Sequence, residues 1–275
     1  MSKDYSSPVS QLLTFGDCRG FGEWPNYLDL GLGPEHVDEL IEMATDEELN
    51  WADPDDLGVW APVHAWRALG QLRATAAIEP LLHLFHELED NDWASDELPV
   101  VYGMIGREAI PALSRYLEDE RYGLYPHIAA AGSLEQIGLT DPSARAACVE
   151  VLSRSLERFG ENDPSLNGFL VGYLLDLQAV EAAPVMERAF AGGHVDVLVV
   201  GDWEDVQVEL GLKAARETPR ARAFPMLFDA PRQDTRKYDA SRRTTGADEP
   251  AAKAKSKRKQ ARAARKKNRK RKKKK

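Results

Sequence analysis

The stretch from Trp60 to Leu88, WAPVHAWRALGQLRATAAIEPLLHLFHEL, decides the fold of this chain. In its first half, apolar residues recur at three-residue steps at Val63, Trp66 and Leu69, which is the periodicity of a helix rather than of a strand. A second apolar stripe follows after a short polar turn. Because the link is short, the two predicted helices must pack antiparallel. Neither can bury its apolar face without neighbouring units.

The same two-helix pattern recurs down the chain. A proline near the start of the second helix returns at Pro80, Pro111 and Pro184, in the first turn, where its missing N–H costs least. The ends of the first helices are spaced by 33, 32 and 40 residues, at Leu72, Ile105, Ile137 and Leu177. Units of this length predict an all-α fold, namely an α-solenoid of about five to six two-helix repeats.

These repeats resemble the HEAT-like family, which includes the repeats first described in phycobilisome lyases. The resemblance is carried by AWRALGQL with AAIEPLL, by MIGREAIPAL and by LLDLQAVEAAPVMERAF. It is closest to an uncharacterised bacterial group, which the chain resembles over most of residues 1–212. The resemblance implies a solenoid that serves as a protein-binding scaffold, and it brings no catalytic motif.

Composition divides the chain into four predicted regions. Residues 1–31 read as an N-terminal capping arm and residues 32–212 as the repeat solenoid. Residues 213–250 read as a polar, mostly disordered linker, and residues 251–275 as a disordered Lys/Arg-rich tail. The last two regions hold too little apolar surface to offset the entropy lost on ordering.

Charge is strongly segregated along the chain. The net charge of -9 hides a body, residues 1–212, with 39 acidic and 11 basic residues, and a tail from Ala251 with 16 basic and no acidic residues in 25. Such a tail is expected to bind a polyanion such as RNA or DNA non-specifically. The alternative is that it only masks the acidic body. The predicted polyanion-binding residues are Lys257, Arg258, Lys259, Arg262, Arg265, Lys266, Lys267, Arg269, Lys270, Arg271, Lys272 and Lys273.

The tryptophans suggest where a protein partner would bind, because Trp is enriched at binding hot spots. Trp66 is excluded from this group, since its helical spacing with Val63 and Leu69 predicts a core position. For His64 the competing interpretation is a packed or capping histidine, and for the tryptophans of the acidic loops it is loop anchoring. The candidate partner surface consists of Trp51, Trp60, His64, Trp93 and Trp203.

The sequence holds little that points to catalysis. His83 and Glu87 lie one turn apart and His86 lies beside them, but a metal site needs further ligands from opposing repeats. The expected role of this group is therefore a solvated or hydrogen-bonded face, with no metal or cofactor. No nucleophile is placed by a motif, so we expect a scaffold and not an enzyme. A lyase- or chaperone-like activity on the repeat surface is the alternative.

Two features bear on the compartment. Cys18 and Cys148 are far apart in sequence, which favours reduced thiols. No apolar run approaches the roughly 20 residues of a membrane span, and the first residues lack the pattern of a secretory signal. These features predict a cytoplasmic protein with no membrane span. The oligomeric state is not encoded in any pattern of the sequence.

Overall fold

The computed structural model describes residues 3–53 and 55–219, which are all-helical, as predicted, with no β-strand among them. Residues 220–275, which include most of the predicted linker and all of the predicted tail, lie outside the described part. Twelve α-helices occur in the described ranges: α1 (Val37–Ala44), α2 (Glu47–Asn50), α3 (Ala61–Gln71), α4 (Ile78–Glu87), α5 (Asp92–Ile105), α6 (Ile110–Glu118), α7 (Leu124–Thr140), α8 (Arg145–Glu157), α9 (Pro164–Asp176), α10 (Ala183–Ala191), α11 (Val197–Val200) and α12 (Trp203–Glu209).

The recurring prolines mark the starts of three helices, α4, α6 and α10. Helices α4, α6 and α10 each follow directly on a three-residue 3-10 turn. Pro80, Pro111 and Pro184 then occupy the first turn, where no intrahelical N–H bond is lost. The sequence predicted this placement, and the structure confirms it.

One row of helices consists of α1, α3, α5, α7, α9 and α11, each of which contacts the next. Between α3 and α5 the contacts follow the chain in the same order, because Arg67 meets Glu97 and, further along both helices, Gly70 lies beside Met104. The helices approach closely at Gly103 of α5, where an added Cβ would lie 3.0 Å from the Cβ of Gln136 and 3.2 Å from its carbonyl oxygen. Trp66 is fully buried on α3, as its spacing predicted.

A second row consists of α4, α6, α8 and α10, again with each helix touching the next, and α10 touching α12. An acidic side chain on one helix pairs with an arginine on the following helix at each step. The pairs are Glu79–Arg115, Glu118–Arg154 and Glu157–Arg188. Exposed pairs of this kind stabilise a fold only slightly. Their importance here is that they occupy the arginines of the helical body.

The N-terminal residues lie against α3. The 3-10 turns Val9–Thr14 and Tyr27–Leu30 both contact this helix. The side chain of Gln71 accepts a hydrogen bond from the backbone N–H of Tyr27 at 2.8 Å and donates one to the carbonyl of Pro25 at 2.8 Å. A single amide at the end of α3 thus holds the backbone of this segment.

The last described residues turn back onto α12. Arg216 donates to both carboxylate oxygens of Asp202, at 2.6 and 2.8 Å, and Lys213 donates to Glu204 at 2.8 Å. The beginning of the predicted linker, residues 213–219, is therefore tied to the start of α12. Among the described residues, no helix combines the length and hydropathy needed to cross a bilayer.

Candidate functional site

Two of the five predicted surface residues meet in the structure. The rings of Trp60, just before α3, and Trp93, in the first turn of α5, are 5.3 Å apart and nearly perpendicular. Both are half-buried, and the guanidinium of Arg19 lies 5.2 Å from the centre of the Trp60 ring. Edge-to-face rings and a stacked cation are both favourable geometries. The two tryptophans face each other because α3 and α5 pack side by side.

A buried ion pair lies beneath these rings. Arg67 Nε donates to Glu97 Oε2 at 2.7 Å, and the two side chains are only 3% and 2% exposed. The Arg67 guanidinium also lies 4.9 Å from the ring centre of Trp24 and 5.9 Å from that of Trp93. Burial opposes the charge on Arg67, but the bond to the Glu97 carboxylate outweighs it and raises the pKa of the guanidinium. We call Trp24, Trp60, Arg67, Trp93 and Glu97 the tryptophan–arginine cluster.

The cluster joins three parts of the chain: the N-terminal segment, α3 and α5. The Nη1 of Arg67 is buried with no hydrogen-bond partner, and ring stacking compensates only part of that cost. Neither Arg67 nor Glu97 was among the residues predicted from the sequence. Arg67 is the one charged residue in the otherwise apolar run AWRALG, a pattern that indicates a buried, paired charge.

His64 does not belong to a partner surface, and the prediction that it does is corrected by its complete burial. Its Nδ1 accepts a hydrogen bond from the Tyr27 hydroxyl at 2.7 Å, and its Nε2 donates to the carbonyl of Gly16 at 2.9 Å. This pattern fits the neutral imidazole, and burial lowers the pKa of His64 to about 4. His64 thus holds the N-terminal segment on α3, the packed role that was its alternative interpretation.

The two remaining predicted residues are not members of the cluster. Trp51 caps the end of α2 and is 37% exposed. Trp203 begins α12, is half-buried, and packs its ring 5.7 Å from that of Phe190. The predicted set is therefore divided among a pair, a buried histidine and two separate tryptophans.

The histidines of α4 form an aromatic group and not a ligand set. The His86 ring stacks 4.7 Å from Tyr122, which in turn stacks 4.1 Å from Tyr116, while the exposed His83 lies 5.7 Å from His86. Nearby, a cavity of about 130 Å³ between α4 and α6 is lined in part by Glu79 and Arg115, which pair with each other. Within residues 3–53 and 55–219, no three His, Cys, Asp or Glu side chains come together as metal ligands would.

The two thiols and one carboxyl group have strongly raised pKa values. Cys18 and Cys148 are free and buried, and burial raises the pKa of Cys18 to about 12 and that of Cys148 to about 11. Both therefore stay protonated and unreactive at neutral pH. Desolvation, together with the neighbouring Asp176, raises the pKa of Glu135 on α7 to about 8. This pair joins α7 to α9.

The positive charges of the helical body are almost all neutralised. Of the 13 Lys and Arg side chains in the described ranges, twelve form an ion pair with a carboxylate. The same part of the chain carries a large excess of Asp and Glu. It therefore presents a negative surface with little free positive charge. The predicted tail residues, Lys257 to Lys273, lie outside the described part.

No protein-family model, curated protein or solved structure matches the chain significantly.

Proposed function

We propose that this chain is a non-enzymatic scaffold whose acidic helical body binds a protein partner and whose basic tail tethers it to RNA or DNA. Charge segregation carries the proposal. The body's Lys and Arg side chains are committed to internal ion pairs, so the body offers phosphate groups almost no free cation. The tail carries 16 basic residues in 25 with no acid, which is the composition that binds phosphate backbones.

We further propose that the helices form HEAT-like repeats stacked as an α-solenoid of five to six units. The support comes from contacts that recur at about one repeat length. Arg67 pairs with Glu97, Arg107 with Asp141 and Arg145 with Glu181, across 30, 34 and 36 residues. Nearest-neighbour contacts of this kind are what a repeat array requires.

The proposed partner surface is the edge formed by the loops that precede α3 and α5. It offers the half-buried rings of Trp60 and Trp93 beside the acidic segments 53–56 and 89–92. Aromatic rings flanked by carboxylates suit a partner segment with both apolar and basic side chains. Trp51, 37% exposed, directly follows α2, which contacts the turn Leu57–Trp60, and we include it in this edge.

The tether is tested in the full-length chain by replacing the twelve predicted tail residues from Lys257 to Lys273 with Gln. We expect this variant to lose salt-sensitive retention on single-stranded RNA, because Gln side chains do not neutralise phosphates and so release no counterions. The matched control keeps the composition of residues 251–275 but scrambles their order, and it should retain RNA as well as the natural chain does. Equal retention by the Gln variant, or by a chain ending at Gly246, rules out the tether.

The partner surface is tested separately, by comparing proteins captured on full-length Trp51→Ser and on the natural chain, both with the neutralised tail. Tyr125→Ser, at an aromatic residue that is 66% exposed, is the control for loss of an exposed ring. Loss of the same captured protein with Trp51→Ser and not with Tyr125→Ser supports the proposed edge. A captured set that is identical for all three proteins contradicts it.

A further inference from the structure

Helix α11 ends the first row of helices with an exposed apolar face. Its sequence is VLVV, and it packs on α9, where an added Cβ on Gly168 would lie 2.9 Å from the Cβ of Val199. Val200 is also buried. Val197 and Leu198, by contrast, are 44% and 57% exposed. The terminal units of helical repeat proteins usually present a polar outer face, so two branched apolar side chains here need a cover.

The chain that leaves the described part starts close to this face. The bonds of Arg216 to Asp202 and of Thr218 to Glu204 fix the chain at the start of α12. Asp202 follows the last residue of α11, Val200, by only two positions. The described chain therefore ends, at Pro219, beside the C-terminal end of α11.

The residues that follow include a short apolar run. Residues 223–228 read AFPMLF, and no other run of this kind occurs between residue 213 and the end of the sequence. Phe224 lies five positions after Pro219, which is a reach of about 17 Å for extended chain. The length of α11 is about 6 Å at 1.5 Å per residue. Phe224 can therefore reach any part of α11 without strain.

We propose that residues 223–228 dock on the Val197–Leu198 face of α11 and close the first row of helices. The apolar side chains on the two sides would bury one another, which removes both exposed groups from water at once. The occupant is this chain's own segment because its start is held within reach of the face. Intramolecular docking then has a high effective concentration. The inference is independent of what the basic tail binds.

The test uses the full-length chain with Phe224→Ser and Phe228→Ser together. We expect amide hydrogen exchange in α11 to become faster by about tenfold or more, because the helix loses its cover. Tyr238→Ser, ten residues beyond the apolar run, is the matched control and should leave exchange in α11 unchanged. A double-mutant cycle between Leu198→Ala and Phe228→Ala, measured by urea unfolding, should show an interaction between the two sites.

Two results would overturn the proposal. One is unchanged protection of α11 in the Phe224→Ser, Phe228→Ser chain together with strict additivity in the cycle. The other is a self-association, seen by sedimentation, that Leu198→Asp abolishes and the two serine substitutions do not affect. In that case a second copy of the chain covers the face.

Discussion

At the scale of single residues, buried polar side chains hold the N-terminal segment on the helices. His64 satisfies both ring nitrogens within the molecule, through Tyr27 and Gly16. Arg67 and Glu97 form a charged pair shielded from water by Trp24. Each of these groups is costly to bury alone and acceptable only because its partner comes from another part of the chain. Their pairing therefore specifies where the segment lies.

The buried His64 predicts that the protein loses stability in mild acid. Its pKa in the folded state, about 4, lies below the 6.5 of an exposed histidine, so the unfolded state binds a proton first as pH falls. The contribution of the neutral His64 to the free energy of unfolding is complete above pH 6.5. It is lost between about pH 6.5 and 4, which lowers the free energy of unfolding by about 3 kcal/mol. We expect His64→Gln to remove this part of the pH dependence in urea unfolding series.

The control for this measurement is His83→Gln, since His83 is exposed on α4. It should keep the loss of stability between about pH 6.5 and 4 that we assign to His64. A His64→Gln profile that runs parallel to the natural one from pH 7 to pH 4 would show that His64 is not protected from protons in the folded protein.

Because the Arg67–Glu97 pair is buried, replacing its carboxylate with an uncharged amide should have an unusually large effect on stability. Glu97→Gln leaves the Arg67 charge buried without a counterion, and we expect it to lower the free energy of unfolding by about 3–5 kcal/mol. The comparison is Glu79→Gln, which breaks the equivalent exposed pair with Arg115, both 65% exposed, and should cost at most about 1 kcal/mol. Urea unfolding at pH 7 measures both, and equal losses would contradict the role of burial.

At the scale of elements, close packing of successive helices depends on small residues at the contact. Gly103 lets α5 approach the backbone of α7, since a Cβ there would stand 3.2 Å from a carbonyl oxygen. Gly172, in α9, has no atom within 4 Å of the position of such a Cβ. The two glycines therefore differ in their effect on stability. Gly103 is needed because a larger side chain would not fit, whereas Gly172 lowers helix stability without any gain in packing.

This contrast predicts opposite signs for the same substitution. Gly103→Ala should destabilise the protein by about 1–3 kcal/mol, because α7 must shift to accept the methyl group. Gly172→Ala should stabilise it by about 0.5–1 kcal/mol through helix propensity. Thermal unfolding of the two variants measures the difference. A loss of stability at both positions would mean that α9 is packed more tightly than its open space indicates.

At the scale of the whole molecule, helices in the described part touch mainly their neighbours in two rows, so stability should be local. Val206→Ala in α12, a fully buried site, is expected to speed amide exchange in α10 to α12 and to leave α3 to α5 unchanged. Leu98→Ala, at a buried site in α5, should instead speed exchange in α3 and α7. Uniform acceleration in either variant would indicate one cooperative unit and would argue against the proposed repeats.

The sequence predicted the elements better than it predicted the site. Helical periodicity and the first-turn prolines at positions 80, 111 and 184 are local signals, and the helices begin where these signals place them. Whether a tryptophan or histidine side chain is exposed does not depend on neighbouring residues in the sequence alone. Trp60 and Trp93 became a pair through a 33-residue register, and His64 was buried by residues 37 and 48 positions away.

The sequence by itself determined that the described chain is all-helical and that negative and positive charge are segregated. Those properties follow from the order of neighbouring residues and from the number of charged residues in each part of the chain. Only the tertiary structure decided that Arg67 pairs with Glu97 and that His64 lies beneath the N-terminal segment. It also showed that the body's cations are used internally. The physical reason is that burial and pairing depend on which surfaces meet, and no residue carries that information alone.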